Sequence, residues 1–449
     1  MPLLDAIFKA YDVRGTYPDQ INEDLARRIG AAFARFAGSD RIILARDMRP
    51  SGVTLTNSFA YGVTGQGVDV IDIGLASTDL LYFASGKLNA PGAMFTASHN
   101  PAQYNGIKLC LAGAKPVGED TGLGEIKALA EDDPQPVEGR SGQVTEQSLI
   151  DAFADHVRSF IDVGSLRPMK VVADTANGMG GLVVPRVFDG LPVELEILFP
   201  ELDGTFPNHP ADPIQPENLK DLQARVLETG ADIGLAFDGD ADRVFLVDEK
   251  AQPVSGSLTT ALVAKSMLEK HAGATVIHNL ICSKTVPEVI EENGGKAVRT
   301  RVGHSFIKAT MAETGAVFGG EHSGHYYFAD NYRADSGLIA AVVVLELLSK
   351  LGQPLSEARK PFERYAASGE INTKVNDPKA VIESVAAHYR ESGASVDRLD
   401  GLTVDFGDWW FNLRPSNTEP LLRLNLEART REECDAKTNE VLSLFKEGS

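Results

Sequence analysis

The sequence predicts an α/β protein: three related α/β domains with mixed or parallel sheets, followed by a smaller α+β domain. With 449 residues, the chain exceeds what one hydrophobic core can serve, so several domains are expected. Three times, a short apolar strand runs into a polar, glycine-containing loop, at Ser98, at Asp240 and at Ser323, which indicates an internal repeat. Near the end, Leu422 and Leu424 alternate with polar residues, as is typical of a half-exposed strand.

The first domain, predicted at residues 1–143, alternates helical and strand patterns, which favours a mixed or parallel sheet. Tyr11–Gly15 is a short extended segment with two cations nearby, and an edge strand with solvated charges is its simplest interpretation. The elements that follow are a helix with Leu25, Ile29, Phe33 and Phe36 on one face, and strands at Ile42–Ala45, Val68–Ile73 and Gly92–Phe95.

The strand Gly92–Phe95 leads to one serine, Ser98, in a turn of small and polar residues. Asn100-Pro101 disfavours a helix there, and Asn105-Gly106 supplies a second turn. In an open α/β sheet, ligands bind at the carboxyl ends of the strands. A turn stabilised by its own side chains, without chemistry, explains this short segment equally well.

The other domains are predicted at residues 144–253, 254–365 and 366–449, with the Pro-, Glu- and Gly-rich stretch 133–142 marking the first boundary. In the second domain the apolar strand Ile233–Phe237 precedes the acidic loop 238–243. In the third, Ala316–Gly319 precedes the loop 320–325. Each loop therefore follows a strand in the same way as Ser98 does.

Composition excludes several classes of function. A net charge of −20 argues against nucleic acid and anionic membranes as partners. No apolar run approaches the roughly 20 residues that span a bilayer, and the first residues lack a signal-peptide pattern, so we expect a cytoplasmic protein. The three cysteines, Cys110, Cys282 and Cys434, are far apart and imply neither disulfides nor a zinc site.

Asp238, Asp240 and Asp242 stand at alternate positions directly after an apolar strand. Three carboxylates can converge on one hard cation such as Mg²⁺ or Ca²⁺. An EF-hand loop would have Glu249 at its twelfth position, but Arg243 replaces its turn glycine and a strand leads in, so this alternative is rejected. A nucleophilic aspartate of the haloacid-dehalogenase type is disfavoured because Asp242 stands where Thr or Val is usual.

The segment Arg414–Thr418 combines a guanidinium, two hydroxyls, an amide and backbone N–H groups near a turn. Such a set can hold a phosphate. A hydrogen-bonded loop without a ligand is an equally good interpretation of this segment alone.

Together, five motifs resemble the α-D-phosphohexomutase family, and within it the bacterial phosphomannomutase/phosphoglucomutase branch. The motifs span the chain in the family's order and are Tyr11-Asp12-Val13-Arg14-Gly15, Thr96-Ala97-Ser98-His99-Asn100-Pro101, Asp238-Gly239-Asp240-Ala241-Asp242-Arg243, Gly320-Glu321-His322-Ser323-Gly324-His325 and Arg414-Pro415-Ser416-Asn417-Thr418. The resemblance implies an active-site cleft between all four domains.

The resemblance also implies an enzyme that interconverts hexose 6-phosphate and hexose 1-phosphate, of mannose and of glucose, through a phosphoserine and a hexose 1,6-bisphosphate, which is also the activator. The catalytic positions it implies are Ser98, His99, Lys108, Arg14, Arg243 and His304, with Lys108 or His304 exchanging the hydroxyl proton. The substrate-binding positions are Tyr11, Glu321, Ser323, His325, Arg414, Ser416, Asn417, Thr418 and Arg423. The Mg²⁺ ligands are Ser98, Asp238, Asp240 and Asp242.

One position departs from the family. Some relatives carry a lysine just before the pair Cys282-Ser283, where this chain has Ile281, and either Lys284 or Arg301 could replace its charge. The nearest alternative is a phosphoglucosamine mutase, which usually has Gly in place of Asn417; an inactive sugar-phosphate-binding protein and a phosphatase are further alternatives. We expect a monomer or a weak homo-oligomer.

Overall fold

The computed structural model describes residues 2–415 and 421–445. The first part of the chain contains α1 (Pro2–Ile7), β1 (Val13–Thr16), α2 (Glu23–Ala37), β2 (Arg41–Arg46), α3 (Gly52–Gly65), β3 (Asp69–Leu75), α4 (Thr78–Leu88), β4 (Gly92–Phe95), β5 (Tyr104–Leu111), β6 (Lys115–Pro116), α5 (Leu123–Glu131) and β7 (Val144–Glu146). The second contains α6 (Ile150–Arg158), β8 (Met169–Asp174), α7 (Gly180–Phe188), β9 (Val193–Leu198), α8 (Lys220–Thr229), β10 (Ile233–Phe237), β11 (Val244–Asp248) and β12 (Pro253–Val254).

The third part contains α9 (Gly256–Lys270), β13 (Thr275–Asn279), α10 (Thr285–Glu292), β14 (Lys296–Thr300), α11 (His304–Thr314), β15 (Phe318–Gly320), β16 (Tyr326–Phe328), α12 (Gly337–Leu351) and α13 (Leu355–Ala358). The last contains β17 (Ala366–Lys374), α14 (Pro378–Tyr389), β18 (Ser395–Asp397), β19 (Leu402–Asp405), β20 (Trp409–Pro415), β21 (Leu421–Ala428) and α15 (Arg431–Leu444). Short 3₁₀ turns lie at Glu119–Thr121, Val163–Ser165, Pro216–Leu219, Ala329–Asn331 and Lys360–Phe362.

Three sheets share one strand order. It reads β3-β2-β4-β5 in the first, β9-β8-β10-β11 in the second and β14-β13-β15-β16 in the third. In each, the first three strands are parallel and the fourth is antiparallel to the third. The predicted internal repeat is confirmed, and all three polar loops join the third strand to the antiparallel fourth.

Local signals explain why the elements begin and end where they do. The side chain of Asn22 accepts a hydrogen bond from the backbone N–H of Leu25 and so caps the start of α2. Gly38 ends that helix in the left-handed conformation, with φ of 59°, which glycine adopts without a steric penalty. The apolar face predicted for this helix packs into the core of the first domain.

A continuous apolar cluster runs through the first three domains and includes Ile43, Leu235 and Val343. Helix α12 lies inside it, with nearly every side chain buried. Across the described residues, no single helix has both the length and the apolar character to cross a bilayer, whereas α12 and the segment 355–362 satisfy that test only as a pair bent by 86°. The shared core fixes the three loops relative to one another.

The last domain is an antiparallel sheet, β17-β21-β20-β19-β18, with its own apolar core under α14 and α15. The alternation predicted for β21 holds for Leu422, Leu424 and Leu426, which are buried. The opposite face is only partly solvated, since Arg423 is partly exposed whereas Asn425 and Glu427 are buried. Glu427 accepts hydrogen bonds from the Trp410 indole at 2.9 Å and from the backbone N–H of Lys284 in the third domain at 3.1 Å. Contact with the third domain therefore covers this face at Glu427.

Two sheets extend past the boundaries that the sequence predicts. Strand β7, at 144–146, pairs with β3, so the first sheet continues beyond residue 143. Strand β12 pairs with β11 and crosses residue 253. The stretch rich in Pro, Glu and Gly thus precedes an edge strand of the first sheet. A pairing between distant strands leaves no local trace in composition.

Candidate active site

Ser98 lies on the loop between β4 and β5, with its backbone in the left-handed region at φ of 49°. Its hydroxyl donates a 2.7 Å hydrogen bond to Oδ2 of Asp238 on the second domain. Gly239 permits this approach, because a Cβ there would lie 2.4 Å from the carbonyl oxygen of Ser98. The loops of the first two domains therefore meet at the serine.

Arg49 holds the serine loop through hydrogen bonds, a role that the sequence did not predict. Its side chain is buried and donates to the carbonyl oxygens of Ser98, Asn100, Pro101 and Tyr104 at 2.6–2.9 Å. Its Nε lies 3.2 Å from the buried carboxylate of Asp47. The only sequence signal is an Asp and an Arg at the end of a predicted strand.

The carboxylates of Asp238, Asp240 and Asp242 converge, with one oxygen of each lying within 4.8 Å of the others. Oδ1 of Asp240 and Oδ1 of Asp242 are buried and have no hydrogen-bond partner among the described residues. Burial raises the pKa of the Asp242 carboxyl, and the neighbouring charge of Asp240 raises it further. Orphaned oxygens and crowded negative charge both suit a hard divalent cation.

Glu249, the residue that an EF-hand would require, lies apart from this cluster. Its carboxylate accepts hydrogen bonds from the backbone N–H of Ser356, at 3.1 Å, and from its hydroxyl. The structure thus agrees with rejection of an EF-hand.

Lys108 and Arg243 balance the acidic loop. Nζ of Lys108 lies 2.7 Å from both Asp240 and Asp242. Although burial opposes its charge, the two carboxylates hold the pKa of Lys108 well above its usual value. Nε of Arg243 donates to Asp238 at 2.8 Å, and its Nη2 lies 3.2 Å from the hydroxyl of Ser98. Both cations therefore adjoin the atoms around the serine.

His99 is held neutral beside these groups. Burial and the guanidinium of Arg243 hold the pKa of His99 well below its usual value. Its Nδ1 lies 2.6 Å from Nη2 of Arg243, so that nitrogen accepts the hydrogen bond. On the other side, Arg14 donates to Oδ1 of Asn100 at 2.6 Å and pairs with Asp12 at 2.5 Å. Arg14 thus borders the serine loop without touching Ser98 itself.

His304 begins α11 and faces the first domain. Its Nδ1 is buried and has no hydrogen-bond partner among the described residues. Burial, together with nearby Lys308, holds the pKa of His304 well below its usual value. The ring of Tyr11 meets the imidazole edge-on at 5.2 Å, and its hydroxyl donates to the carbonyl of Val302 at 3.2 Å. The result is a neutral imidazole with one unpartnered ring nitrogen among the described residues.

The third loop carries Glu321, Ser323 and His325. Glu321 is buried and accepts from the Tyr327 hydroxyl at 2.6 Å and from Asn279 at 3.0 Å. The hydroxyl of Ser323 lies 3.0 Å from Nδ1 of His325. Nε2 of His325 lies 3.8 Å from Asp242. This contact joins the third loop to the acidic loop.

A cavity of about 1040 Å³ lies between the first, third and fourth domains. Its charged lining comprises five cations and three acidic residues, namely Lys9, Lys127, Arg301, Arg414, Arg423, Asp5, Glu119 and Asp120. The predicted phosphate-binding residues Ser416, Asn417 and Thr418 lie outside the described residues. Their neighbours Arg414 and Pro415 line the cavity, and so does Tyr11.

Four family models match the chain in succession. They describe the three alpha/beta/alpha domains and the C-terminal domain of phosphoglucomutase/phosphomannomutase, at residues 5–136, 151–252, 255–365 and 370–442. The chain belongs to the phosphoglucomutase/phosphomannomutase family. The predicted family is confirmed.

Individual relatives of this family member agree over nearly the whole chain. A phosphomannomutase of Salmonella montevideo is 43% identical over 448 residues, covering 98% of each chain. A protein of Xanthomonas campestris pv. campestris named "phosphohexose mutases" is 41% identical, covering 98% of this chain and 99% of its own. The crystal structure of a phosphoglucomutase/phosphomannomutase family protein from Burkholderia thailandensis superposes with a TM-score of 0.89 at 33% identity, over 99% of this chain and 98% of that one.

The two cations that could replace the family's lysine differ in their surroundings. Lys284 contacts the fourth domain, with Nζ 2.6 Å from Asp405 and 2.7 Å from the carbonyl of Gly407. Arg301 lies in the cavity beside Arg414, where its guanidinium stacks 4.4 Å from the ring of Phe306. Only Arg301 of these two candidates lines the cationic cavity.

Thr78, like Arg49, was missed by sequence reasoning in this phosphohexomutase. Its hydroxyl donates to Oδ2 of Asp240 at 2.6 Å, across the boundary between the first two domains. A threonine at a helix start carries no sign of such a distant partner, so no sequence signal could have found it.

Proposed function

We propose that this hexose phosphate mutase interconverts hexose 6-phosphates and hexose 1-phosphates of mannose and glucose, with Ser98 carrying the transferred phosphoryl group and a hexose 1,6-bisphosphate as intermediate. One observation carries the proposal. The Ser98 hydroxyl lies 2.7 Å from Asp238 and 3.2 Å from Arg243, beside three converging carboxylates. Phosphoryl transfer depends on such positioning and charge neutralisation.

Asp238, Asp240 and Asp242, together with an oxygen on Ser98, would hold Mg²⁺. The orphaned oxygens of Asp240 and Asp242 support this assignment. When bound, the ion neutralises charge on the phosphoryl group during transfer. Lys108 shares the same carboxylates, and its ammonium keeps the loop compact and locally balanced.

The proton of the attacking hydroxyl goes to His304. The sugar hydroxyl loses its proton to Nδ1 of this imidazole as its oxygen forms a bond to the phosphorus of phosphoserine 98. The bond from phosphorus to the Ser98 oxygen breaks, and that oxygen keeps the electron pair beside the guanidinium of Arg243. His304 suits this role better than Lys108 does, because its ring is neutral and its Nδ1 is unpartnered, whereas Lys108 is held charged.

The remaining predicted residues would bind the sugar and the second phosphate. Glu321, Ser323, His325 and Tyr11 face the hydroxyls, while Arg14 and His99 brace the serine loop. Arg414 and Arg423, with Ser416, Asn417 and Thr418, bind the phosphate that is not being transferred, and Arg301 supplies the cation absent at Ile281. The bisphosphate turns around, and the Ser98 oxygen attacks the phosphorus of its other phosphate. The bond from that phosphorus to the sugar oxygen breaks, and the sugar oxygen takes the proton back from His304.

A coupled assay tests the substrate class. The purified protein is given mannose 1-phosphate, glucose 1-phosphate or glucosamine 1-phosphate, each with a trace of hexose 1,6-bisphosphate as activator. We expect turnover of the first two. Turnover of glucosamine 1-phosphate alone would indicate a phosphoglucosamine mutase, and release of free phosphate would indicate a phosphatase.

Ser98→Ala tests the chemistry. We expect turnover to fall by several orders of magnitude with the fold intact, because the covalent carrier is lost. Intact mass should show one phosphate on part of the purified protein and none on the variant. Near-normal mutase activity of Ser98→Ala would refute the mechanism.

We further infer that the enzyme works in the cytoplasm as a monomer or weak homo-oligomer, without nucleic acid or membrane partners. The net charge of −20 supports the absence of those partners, since it repels nucleic acid and anionic membranes. Sedimentation at micromolar concentration and cell fractionation would test the two points.

A further inference from the structure

Two arginines oppose each other on the last sheet. Arg414 on β20 stands directly across from Arg423 on β21. Like charges in directly opposed positions destabilise a sheet. The Nε atom of each guanidinium is buried and has no hydrogen-bond partner among the described residues. The opposed positive charges and the unpartnered Nε donors would both be stabilised by an anion between these side chains.

Glu370 on the neighbouring strand β17 supplies an anion from within the chain. It pairs in register with Asn425 and so lies diagonal to Arg423 on the same face. Its Oε2 is 2.9 Å from Nη2 of Arg414, and its Oε1 is 3.3 Å from Nη1 of Arg423. One carboxylate thus relieves the repulsion between the two arginines.

A bound phosphate would need the same donors. Guanidinium groups bind carboxylate and phosphate oxygens with the same fork of N–H groups, so each terminal nitrogen given to Glu370 competes with a ligand. The buried Nε atoms of Arg414 and Arg423 are among the donors that this carboxylate leaves unused. A phosphate dianion carries more charge than the carboxylate and can take its place.

We propose that Glu370 is a resident counter-ion of the phosphate site. An incoming phosphate displaces the Glu370 carboxylate from Arg414 and Arg423, and the carboxylate returns when the phosphate leaves. The proposal rests on the proposed role of these arginines. Its consequence is a lowered affinity for phosphate. A bisphosphate that must let go and turn around in every catalytic cycle benefits from such a competitor.

Glu370→Gln tests this, because it removes the charge and retains the size. We expect the Kd of inorganic phosphate, measured by titration calorimetry at fixed ionic strength, to fall about two- to fivefold, which is the range for a partly exposed ion pair. The KM for glucose 1-phosphate should fall with it. Glu370→Asp keeps the charge and should stay nearer to the wild type.

Glu363→Gln is the matched control. It removes a carboxylate just before the same strand, one that pairs with Arg359 at 2.8 Å, and should leave the Kd unchanged. Arg414→Ala identifies the site, since it should abolish the phosphate binding whose Kd responds to Glu370.

An unchanged Kd in Glu370→Gln, or phosphate binding that survives in Arg414→Ala, would overturn the proposal. A raised Kd would also overturn it, because Glu370 would then position the arginines instead of competing with the ligand. The calorimetric readout needs no turnover. A wild-type protein that binds phosphate in this way but converts no hexose phosphate would refute the mutase function and not the counter-ion.

Discussion

Arg49→Lys isolates the contribution of one buried side chain to the serine loop. A guanidinium has five N–H groups, and the guanidinium of Arg49 donates to five acceptors. They are the carboxylate of Asp47 and the backbone carbonyls of Ser98, Asn100, Pro101 and Tyr104. Lysine keeps the charge opposite Asp47 but has only three donors on a single nitrogen. At least two acceptors must therefore lose their partner.

The expected loss follows from those two acceptors. A hydrogen bond from a charged donor contributes about 1.5–3 kcal/mol, so the first domain should lose at least about 3 kcal/mol of its free energy of unfolding. The loop would also hold Ser98 less firmly. Since a displacement of about 1 Å can reduce the rate about a hundredfold, we expect kcat to fall about 10- to 100-fold, with a smaller change in KM.

Urea denaturation and the coupled mutase assay measure the two effects. Arg41→Lys serves as control, because the guanidinium of Arg41 is exposed and donates one hydrogen bond, to the carbonyl of Leu88 at 3.0 Å. We expect this control to stay within about 0.5 kcal/mol of the wild type. If Arg49→Lys also matched the wild type in both stability and kcat, the idea that Arg49 positions the serine loop would be refuted.

Three further predictions follow from the site. Asp240→Asn should weaken activation by Mg²⁺, because it removes one of three converging carboxylates, whereas Glu249→Gln should not; equal effects in a Mg²⁺ titration would mean that the ligands are misassigned. Glu321→Ala should lower kcat/KM for mannose 1-phosphate and glucose 1-phosphate alike, and the wild-type values should differ by at most about a hundredfold; damage to one substrate alone would contradict a contact common to both. Asp79 lies in the first turn of α4, next to Thr78, and accepts a hydrogen bond from the Ser336 hydroxyl at 2.6 Å. Burial raises the pKa of Asp79 from 3.8 to about 7, so the folded protein holds this proton more tightly than the unfolded chain does and its stability falls as pH rises from about 4 to 7. Relative to Asp79→Asn, the wild type should lose about 4 kcal/mol of unfolding free energy across that window in urea titrations without metal, and parallel pH profiles would show that Asp79 does not titrate there.

The sequence alone determined the repeated architecture and the position of each polar loop. Hydrophobic periodicity is a local property, so the helix at Glu23–Ala37 and the strand at Gly92–Phe95 were predictable from neighbouring residues. The acidic loop was equally visible, because its three carboxylates are separated by single residues. The resemblance to the family assigned a role to Ser98. Its hydrogen bond to Asp238 was not predictable, because it joins two domains.

Tertiary structure decided which distant side chains contact those loops and the last sheet. Periodicity tells which face of a strand is apolar but not what covers the other face, so the burial of Glu427 against Lys284 of the third domain was not predictable. Arg301 and Lys284 are the two cations that could replace the lysine that some relatives carry at the position of Ile281. The fold places Arg301 in the cavity and pairs Lys284 with Asp405. Arg49 belongs with these residues, since its partners around Ser98 lie about 50 positions away and no local pattern records so distant a contact.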